Sequence, residues 1–268
     1  AANTAFARGA YAITGGLGGL GVRAATMLIE RGAFGVVMSS RSARASSIAI
    51  GEQSSTTVRV SACDVGDFMD ALALLAREPL VGVLHAAGVL QDKMIRSMTS
   101  SKFDAVFGPK ALAASHAHAT VSHAPLESFG LFSSVASTFG NVGQANYAAA
   151  NAYLDALARS RRWYGVLVSS LQLPAVSGSG MGAATFDKQQ LEAMGAISLD
   201  EFATFLSVAL APARALAQCT LAPLAQALSM STTVLALSEL SRYTADGIGS
   251  VAFAGASAES AFGRSLMT

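Results

Sequence analysis

Tyr147 and Asn151 stand four residues apart in the run GQANYAAANAYL at 143–154, where the spacing of apolar residues predicts a helix over 144–164. That separation puts a phenol and a carboxamide on one helical face. Ser133 and Ser134 end a predicted strand, 128–132, just upstream, and Lys110 falls in a second predicted helix, 100–120, that would border the same cleft. A phenol is a poor acid at neutral pH, with an ordinary pKa of ~10. A nearby ammonium favours the phenolate and so should lower the Tyr147 pKa, easing proton transfer to a developing alkoxide. Ser134 can donate a hydrogen bond to the same oxygen, and Asn151 can hold a water or orient Lys110. The plainer readings are a helix aromatic for Tyr147 and a strand-end hydroxyl for Ser134.

A second group of residues could hold a dinucleotide. Thr14-Gly15-Gly16-Leu17-Gly18-Gly19-Leu20-Gly21 follows an apolar strand and opens a helix. Glycines there allow a tight turn and let the backbone approach a pyrophosphate at the helix N-terminus. Glycines also end strands, so it is the strand–turn–helix setting that favours dinucleotide binding. The second strand ends in Ser39-Ser40-Arg41, without the carboxylate that grips a ribose 2′-hydroxyl. Arg41 suits a 2′-phosphate, which favours NADPH; the alternative is a solvated surface arginine. Cys63-Asp64-Val65 ends the third strand, where Asp64 can accept from an adenine amino group or cap the next helix. His85-Ala86-Ala87-Gly88 ends the fourth, and its small residues would let backbone lie against ribose and nicotinamide. His85 itself reads as a packed strand-end residue.

The elements that must position these groups alternate. Strands are predicted at 10–13, 35–39, 58–62, 80–85, 128–132 and 165–171, and helices up to Arg31, then at 67–76, 100–120 and 144–164. This rhythm predicts an α/β fold, a Rossmann-like, doubly wound parallel sheet with helices on both faces, whose ligands bind beyond the carboxyl ends of the strands. Residues 42–57 are rich in Ser and Thr, so a short crossover helix is expected there. Residues 1–242 read as the catalytic domain and 243–268 as a linker or peripheral segment.

Composition bounds the rest. With 52% hydrophobic and 13% charged residues in 268, the chain can bury a large core, and disorder is excluded. A net charge of +1 points to neither a nucleic-acid nor an anionic-membrane surface. The uncharged stretch 215–238 holds Pro223, two glutamines and several Ser and Thr, and reads as a core helix and strand rather than a membrane span. Cys63 and Cys219 read as buried thiols of a cytoplasmic chain. The start close to the first strand, with no apolar leader, suggests a piece of something larger.

Residues 14–21, 85–89, 132–137 and 143–154 together resemble the ketoreductase domain of modular type I polyketide synthases, a branch of the short-chain dehydrogenase/reductase superfamily. Ordinary members carry Tyr-x-x-x-Lys. The polyketide branch has its lysine on the preceding helix and an asparagine after the tyrosine, the arrangement of Lys110, Ser134, Tyr147 and Asn151 here. The resemblance implies NADPH as cofactor, a β-ketoacyl thioester on an acyl carrier protein as substrate and a β-hydroxyl as product. It also implies a neighbouring structural subdomain, absent from this sequence, on whose surface folding of the catalytic half would depend. Leu90-Gln91-Asp92 keeps the last residue of the Leu-Asp-Asp motif that marks B-type enzymes, which give a D-hydroxyl. Phe139 stands where A-type enzymes have a diagnostic Trp, so B type is expected. Gln172-Leu173-Pro174-Ala175 replaces a usual Trp-Gly pair at a strand end that faces nicotinamide and substrate in relatives. Met181, among Gly178, Gly180 and Gly182, is expected to begin a flexible lid, with a disordered loop as the equal alternative.

Other constellations are weak. His116, His118 and His123 have no carboxylate or cysteine at ligand spacing, so no metal site is expected. Asp187, Glu192, Asp200 and Glu201 read as helix-face and capping charges. Two alternatives remain beside a carrier-dependent reductase: a free-standing short-chain ketone reductase, and a non-catalytic ketoreductase-like scaffolding module.

Overall fold

The computed structural model describes residues 9–43, 56–77, 79–164, 166, 168–193 and 195–210. Six strands form one parallel sheet: β1 (Ala10–Thr14), β2 (Gly35–Ser40), β3 (Thr57–Ala62), β4 (Leu80–His85), β5 (Ser128–Ser134) and β6 (Ser169–Leu173). Their order is β3-β2-β1-β4-β5-β6, so the winding reverses between β1 and β4. A crevice opens at such a switch point beyond the strand ends. Thr14 is in register with Ser39 on one side and His85 on the other, which brings three of the sequence-predicted strand ends together at that crevice.

Strand β1 shows why the sheet is buried on both faces. Tyr11 and Ile13 enter one core with Val36, Met38, Leu84 and Phe132, under helices α1 (Gly19–Glu30) and α9 (Leu199–Ala209). Ala12 enters the other with Val37, Val83 and Leu131, under α2 (Phe68–Leu75), α4 (Ala113–Val121) and α6 (Ala145–Trp163). The two-residue period of a strand delivers alternate side chains to the two layers. Caps fix the helix starts: Asp67 accepts from Met69 N and Asp70 N, and Ser198 forms a capping box with Glu201. Helix α1 begins instead at Gly18, with no side-chain cap, so its first N–H groups face the crevice side of the turn uncapped.

Two predicted elements differ. The helix expected over 100–120 is α3 (Ser100–Phe107), a widened π turn at Gly108–Leu112, then α4. Pro109 has no N–H, and its ring crowds the carbonyl one turn back, so the helix widens there rather than running through. The last strand begins at Ser169, not 165, because Arg161 O accepts from both Tyr164 N and Val166 N and keeps those residues in the turn that closes α6. Short helices α5 (Ala136–Phe139), α7 (Gly180–Thr185) and α8 (Lys188–Ala193) complete the described chain. The expected crossover helix after Ser42, the helix and strand at 215–238, Cys219 and the segment 243–268 lie mostly or wholly outside the described residues. Among the described residues no helix is long and apolar enough to cross a membrane.

Candidate active site

Strand β5 ends at Ser134, and Ala136 N donates to Ser134 Oγ at 3.2 Å as the chain turns into α5. Gly140 and Gly143, at φ +73° and +78°, then reverse the chain into α6. Asn146, fully buried, holds the start of that helix. Its Nδ2 donates to Gln91 O at 2.9 Å and Lys102 O at 3.1 Å, while its Oδ1 accepts from Tyr147 N at 2.9 Å. One turn on, Asn151 Nδ2 donates to Tyr147 O at 2.8 Å. The tyrosine is thus held through its backbone from both sides, with its ring at the carboxyl end of the sheet.

Lys110 reaches the same place from the π turn. It is 3% exposed, its Nζ donates to Phe132 O at 2.8 Å and stands 5.4 Å from the Tyr147 ring centroid. Burial lowers its pKa to about 8, and the charge of Asp155 works against that fall. Tyr147 departs from expectation. Its pKa is raised, first by burial, with hydrogen bonding from Asn151 and Ser134 acting against the rise and Asp92 adding to it. The expected lowering by Lys110 is overturned because burial disfavours the phenolate more than the neighbouring groups favour it. Burial thus makes Tyr147 a weaker acid than a free phenol, which is itself protonated at neutral pH. Asn151 does not orient Lys110 either; the Phe132 carbonyl does, and Asn151 Oδ1 is buried without a partner.

The glycine turn lies beside this corner and is joined to it. His85, fully buried, has Nδ1 2.7 Å from Thr14 Oγ1 and Nε2 2.8 Å from Lys110 O. A carbonyl only accepts, so Nε2 carries the proton and Nδ1 accepts from Thr14. Burial, then the Lys110 charge, lowers its pKa to about 3 and keeps the ring neutral. Gly15 sits at φ +67°, and a Cβ there would come within 2.6 Å of Ala87 backbone. A Cβ on Gly16 would meet Ile13 O at 2.7 Å, and one on Gly21 would meet Gly16 Cα at 2.6 Å. These three positions have no room for a side chain.

A cleft of about 260 Å³ runs from this turn. Gly15, Gly18, Gly19 and Leu20 line one side, Ala86, Ala87 and Gly88 the floor, and Ser40, Asp64 and Val65 the far end. Arg41 is the one basic side chain in that lining and is exposed. Leu17 packs against the core instead. Asp64 Oδ1 accepts from Gly66 N at 3.0 Å, so Asp64 shapes the turn while Asp67 caps α2; its expected capping role passes to Asp67. Ser179 lies directly against Gly19, and Met181 lines the cleft with its Cε within 3.8 Å of where a Gly88 Cβ would stand.

Other predicted positions lie apart. Leu173 is 7% exposed and packs in the core. Pro174 and Ala175 follow β6 outside the cleft lining, where Ala175 O accepts from Ile197 N. Asp92 is exposed and its Oδ2 accepts from Gln144 Nε2 at 2.9 Å; Phe139, half-buried, ends α5. His116 packs edge-on to Phe68 and His118 stacks on Phe129. Burial and nearby aspartates push the Cys63 thiol to about 11, which leaves it unreactive. Sequence reasoning missed Asn146, Gln144 and Asp155. Asp155 had a signal: it continues the Tyr147–Asn151 face by one more turn.

The strand order and the glycine turn define a Rossmann-type α/β protein. Residues 9–178 match the KR domain family, and the chain belongs to that family, the ketoreductase domains of polyketide synthases. It is 44% identical over 174 residues to the polyketide synthase GfsA of Streptomyces halstedii, covering 61% of this chain and 2% of that protein. It is 38% identical over 195 residues to the spectinabilin polyketide synthase system protein NorB of Streptomyces orinoci, covering 69% of this chain and 9% of that one. Among solved structures, an A1-type ketoreductase superposes with a TM-score of 0.69 at 34% identity, covering 77% of this chain and 46% of the other. A-type ketoreductases from a modular polyketide synthase give 0.67 at 38% identity, over 73% and 45%. The chain thus spans less than half of those solved chains and a small part of the synthases it matches.

Proposed function

We propose that this chain reduces the β-keto group of an acyl chain held as a thioester on an acyl carrier protein, using NADPH, with Tyr147 as proton donor. The observation that carries the reading is the meeting of Ser134, Tyr147 and Lys110 beside a glycine turn with no room for side chains. That turn fits a dinucleotide: Gly18 and Gly19 bring bare backbone to the uncapped start of α1, where a pyrophosphate gains from free N–H groups. Arg41, at the cleft's far end, suits the 2′-phosphate that distinguishes NADPH. When bound, the nicotinamide supplies a hydride to the carbonyl carbon.

The chain's own residues then manage charge and proton. Ser134 and Tyr147 donate hydrogen bonds to the carbonyl oxygen as it gains negative charge. Tyr147, protonated at neutral pH, gives that oxygen its proton, so hydride plus proton turn a ketone into an alcohol. The phenolate left behind is stabilised by the Lys110 ammonium, which the Phe132 carbonyl holds near the ring. Ser179 and Met181 cover the cleft, so this segment must lift for a cofactor to reach the glycine turn.

Asp92 and the absence of Trp at position 139 favour the B-type outcome, a D-hydroxyl. The likeness to A-type structures favours the opposite hand. Oxidation of NADPH by the full chain with a β-ketoacyl thioester, followed by chiral analysis, tests all of this. No turnover by folded, NADPH-binding protein would sink the enzymatic reading, and an L-hydroxyl product would refute the B-type assignment. The structural subdomain and neighbouring synthase domains are the further partners this reading entails.

A further inference from the structure

Asp155 lies on the inner face of α6, two turns beyond Tyr147, and is 5% exposed. Three donors from outside the helix converge on its carboxylate. Ser170 reaches Oδ1 at 2.6 Å, while Ser137 and Gln172 reach Oδ2 at 2.6 and 2.7 Å. The contacts continue outward: Thr138 Oγ1 donates to Gln172 Oε1 at 2.8 Å, and Ser137 Oγ lies 2.8 Å from the Ser134 carbonyl. A carboxylate this deep persists only if its lone pairs are met, and here neutral donors from α5 and β6 meet them. Pairing of Val135 N with Leu173 O at 3.0 Å ties the same corner to β6. The chain spends three buried or half-buried polar side chains on one anion beside the proton-transfer residues. A purely structural joint between a helix and a strand needs no charge, and apolar residues of similar volume fill such a place as well or better.

We propose that Asp155 is a positioning residue for the reduction: its carboxylate fastens the Ser134–Thr138 corner and strand β6 to α6, the helix that carries Tyr147, and its negative charge acts on the Lys110 ammonium. It touches no reacting atom. It acts through Ser134, whose carbonyl shares the Ser137 hydroxyl with it, through Tyr147 on its own helix, and through Lys110. Asp155, from α6, is the charged group acting on Lys110; His85, from β4, donates through Nε2 to the Lys110 backbone carbonyl, and the Tyr147 ring faces the ammonium. His85 is neutral, so Asp155 is the charge that opposes the burial of Lys110. Without it the ammonium would lose its proton at a lower pH.

The proposal rests on Tyr147 as the proton donor, and the test separates the two. Wild type, Tyr147→Phe and Asp155→Asn, each as the full chain, are assayed with NADPH and the N-acetylcysteamine thioester of 3-oxobutanoate across the neutral and alkaline range. NADPH affinity is read separately from its fluorescence. Asp155→Asn is expected to bind NADPH within ~3-fold of wild type and to lose ~10- to 100-fold in kcat. The alkaline fall of its activity is expected at lower pH than in wild type. Wild-type kcat, or a loss with the alkaline limb unmoved, would overturn the proposal, since a merely structural residue leaves that limb in place. If Asp155→Asn does not fold, Ser137→Ala and Ser170→Ala decide, each deleting one donor and leaving the charge. Both are expected to lose ~3- to 10-fold in kcat at unchanged NADPH affinity, and wild-type kcat in both would overturn it. An inactive wild type, or a Tyr147→Phe variant as fast as wild type, would instead bring down the assignment of Tyr147, and the proposal with it.

Discussion

The glycine turn after β1 and the polar corner after β5 flank one crevice but are built on opposite principles. The turn works by absence: a Cβ at Gly15, Gly16 or Gly21 would come within 3 Å of neighbouring backbone, so its geometry follows from what is missing. The corner works by presence. Ser134, Asn146, Tyr147, Asn151 and Asp155 are held by hydrogen bonds that join β5, α5, α6, β6 and the loop after β4. A turn of the first kind is local and its strain falls on few atoms. A corner of the second kind is cooperative, because each buried polar group depends on partners far away in the chain. Lesions in the turn should therefore show in stability and cofactor affinity, and lesions in the corner in turnover.

The sharpest break of that contrast is Tyr147→Phe, which removes one oxygen from the corner. Loss of ~10²- to 10⁴-fold in kcat is expected, with NADPH affinity nearly unchanged, as measured by steady-state kinetics and cofactor titration. Gly15→Ala attacks the turn instead. A methyl at φ +67°, 2.6 Å from Ala87 backbone, should destabilise the fold by ~1–3 kcal/mol in urea unfolding and weaken NADPH binding more than kcat. Arg41→Ala should raise the KM for NADPH by ~10-fold and leave that for NADH unchanged. If NADH and NADPH serve wild type equally, the role given to Arg41 fails.

Protons sharpen the comparison further, with smaller effects. Lys110 in the folded chain titrates near about 8, so kcat should fall as pH rises through that value and the ammonium is lost. The same shift acts on stability with the opposite sense. Between about 8 and the ordinary lysine value of ~10.4 the unfolded chain binds more protons than the folded one, so this group's contribution to stability rises with pH as activity falls. His85 behaves alike at acid pH: it titrates near about 3 when folded and ~6.5 when unfolded, so its contribution falls as pH drops through that window. Chemical denaturation at several pH values, in wild type and His85→Gln, checks this: the acid-side slope should be shallower in the variant.

Legibility in the sequence followed the range of the interactions. The inner strands were readable because runs such as Tyr11–Ile13 and Val36–Met38 are apolar throughout, as strands covered on both faces must be, whereas β3, largely exposed, and β6, with its serines and glutamine, carry no such run. The glycine turn was readable because its glycines stand together between a strand and a helix, although part of the crowding that requires them, Ala87 against Gly15, comes from a distant strand end. Tyr147 and Asn151 were placed on one face by spacing alone. The π turn at Gly108–Leu112 was not foreseen, although Pro109 marked it, because helical periodicity continues through it. The burial of Leu173 was not legible because a residue at a strand end can point into the core or the cleft, and one step of register decides which.

What the sequence by itself determined is the alternation of strand and helix, the bare backbone of Gly15–Gly21 and the pairing of phenol and amide on α6. These need only steric rules acting over a turn or less. Tertiary structure alone decided that Lys110 is buried against Phe132 O, that Tyr147 is a weaker acid than a free phenol rather than a stronger one, and that Asp155 gathers donors from α5 and β6. Burial and long-range hydrogen bonding set those properties, and neither exists until the sheet has brought distant residues side by side.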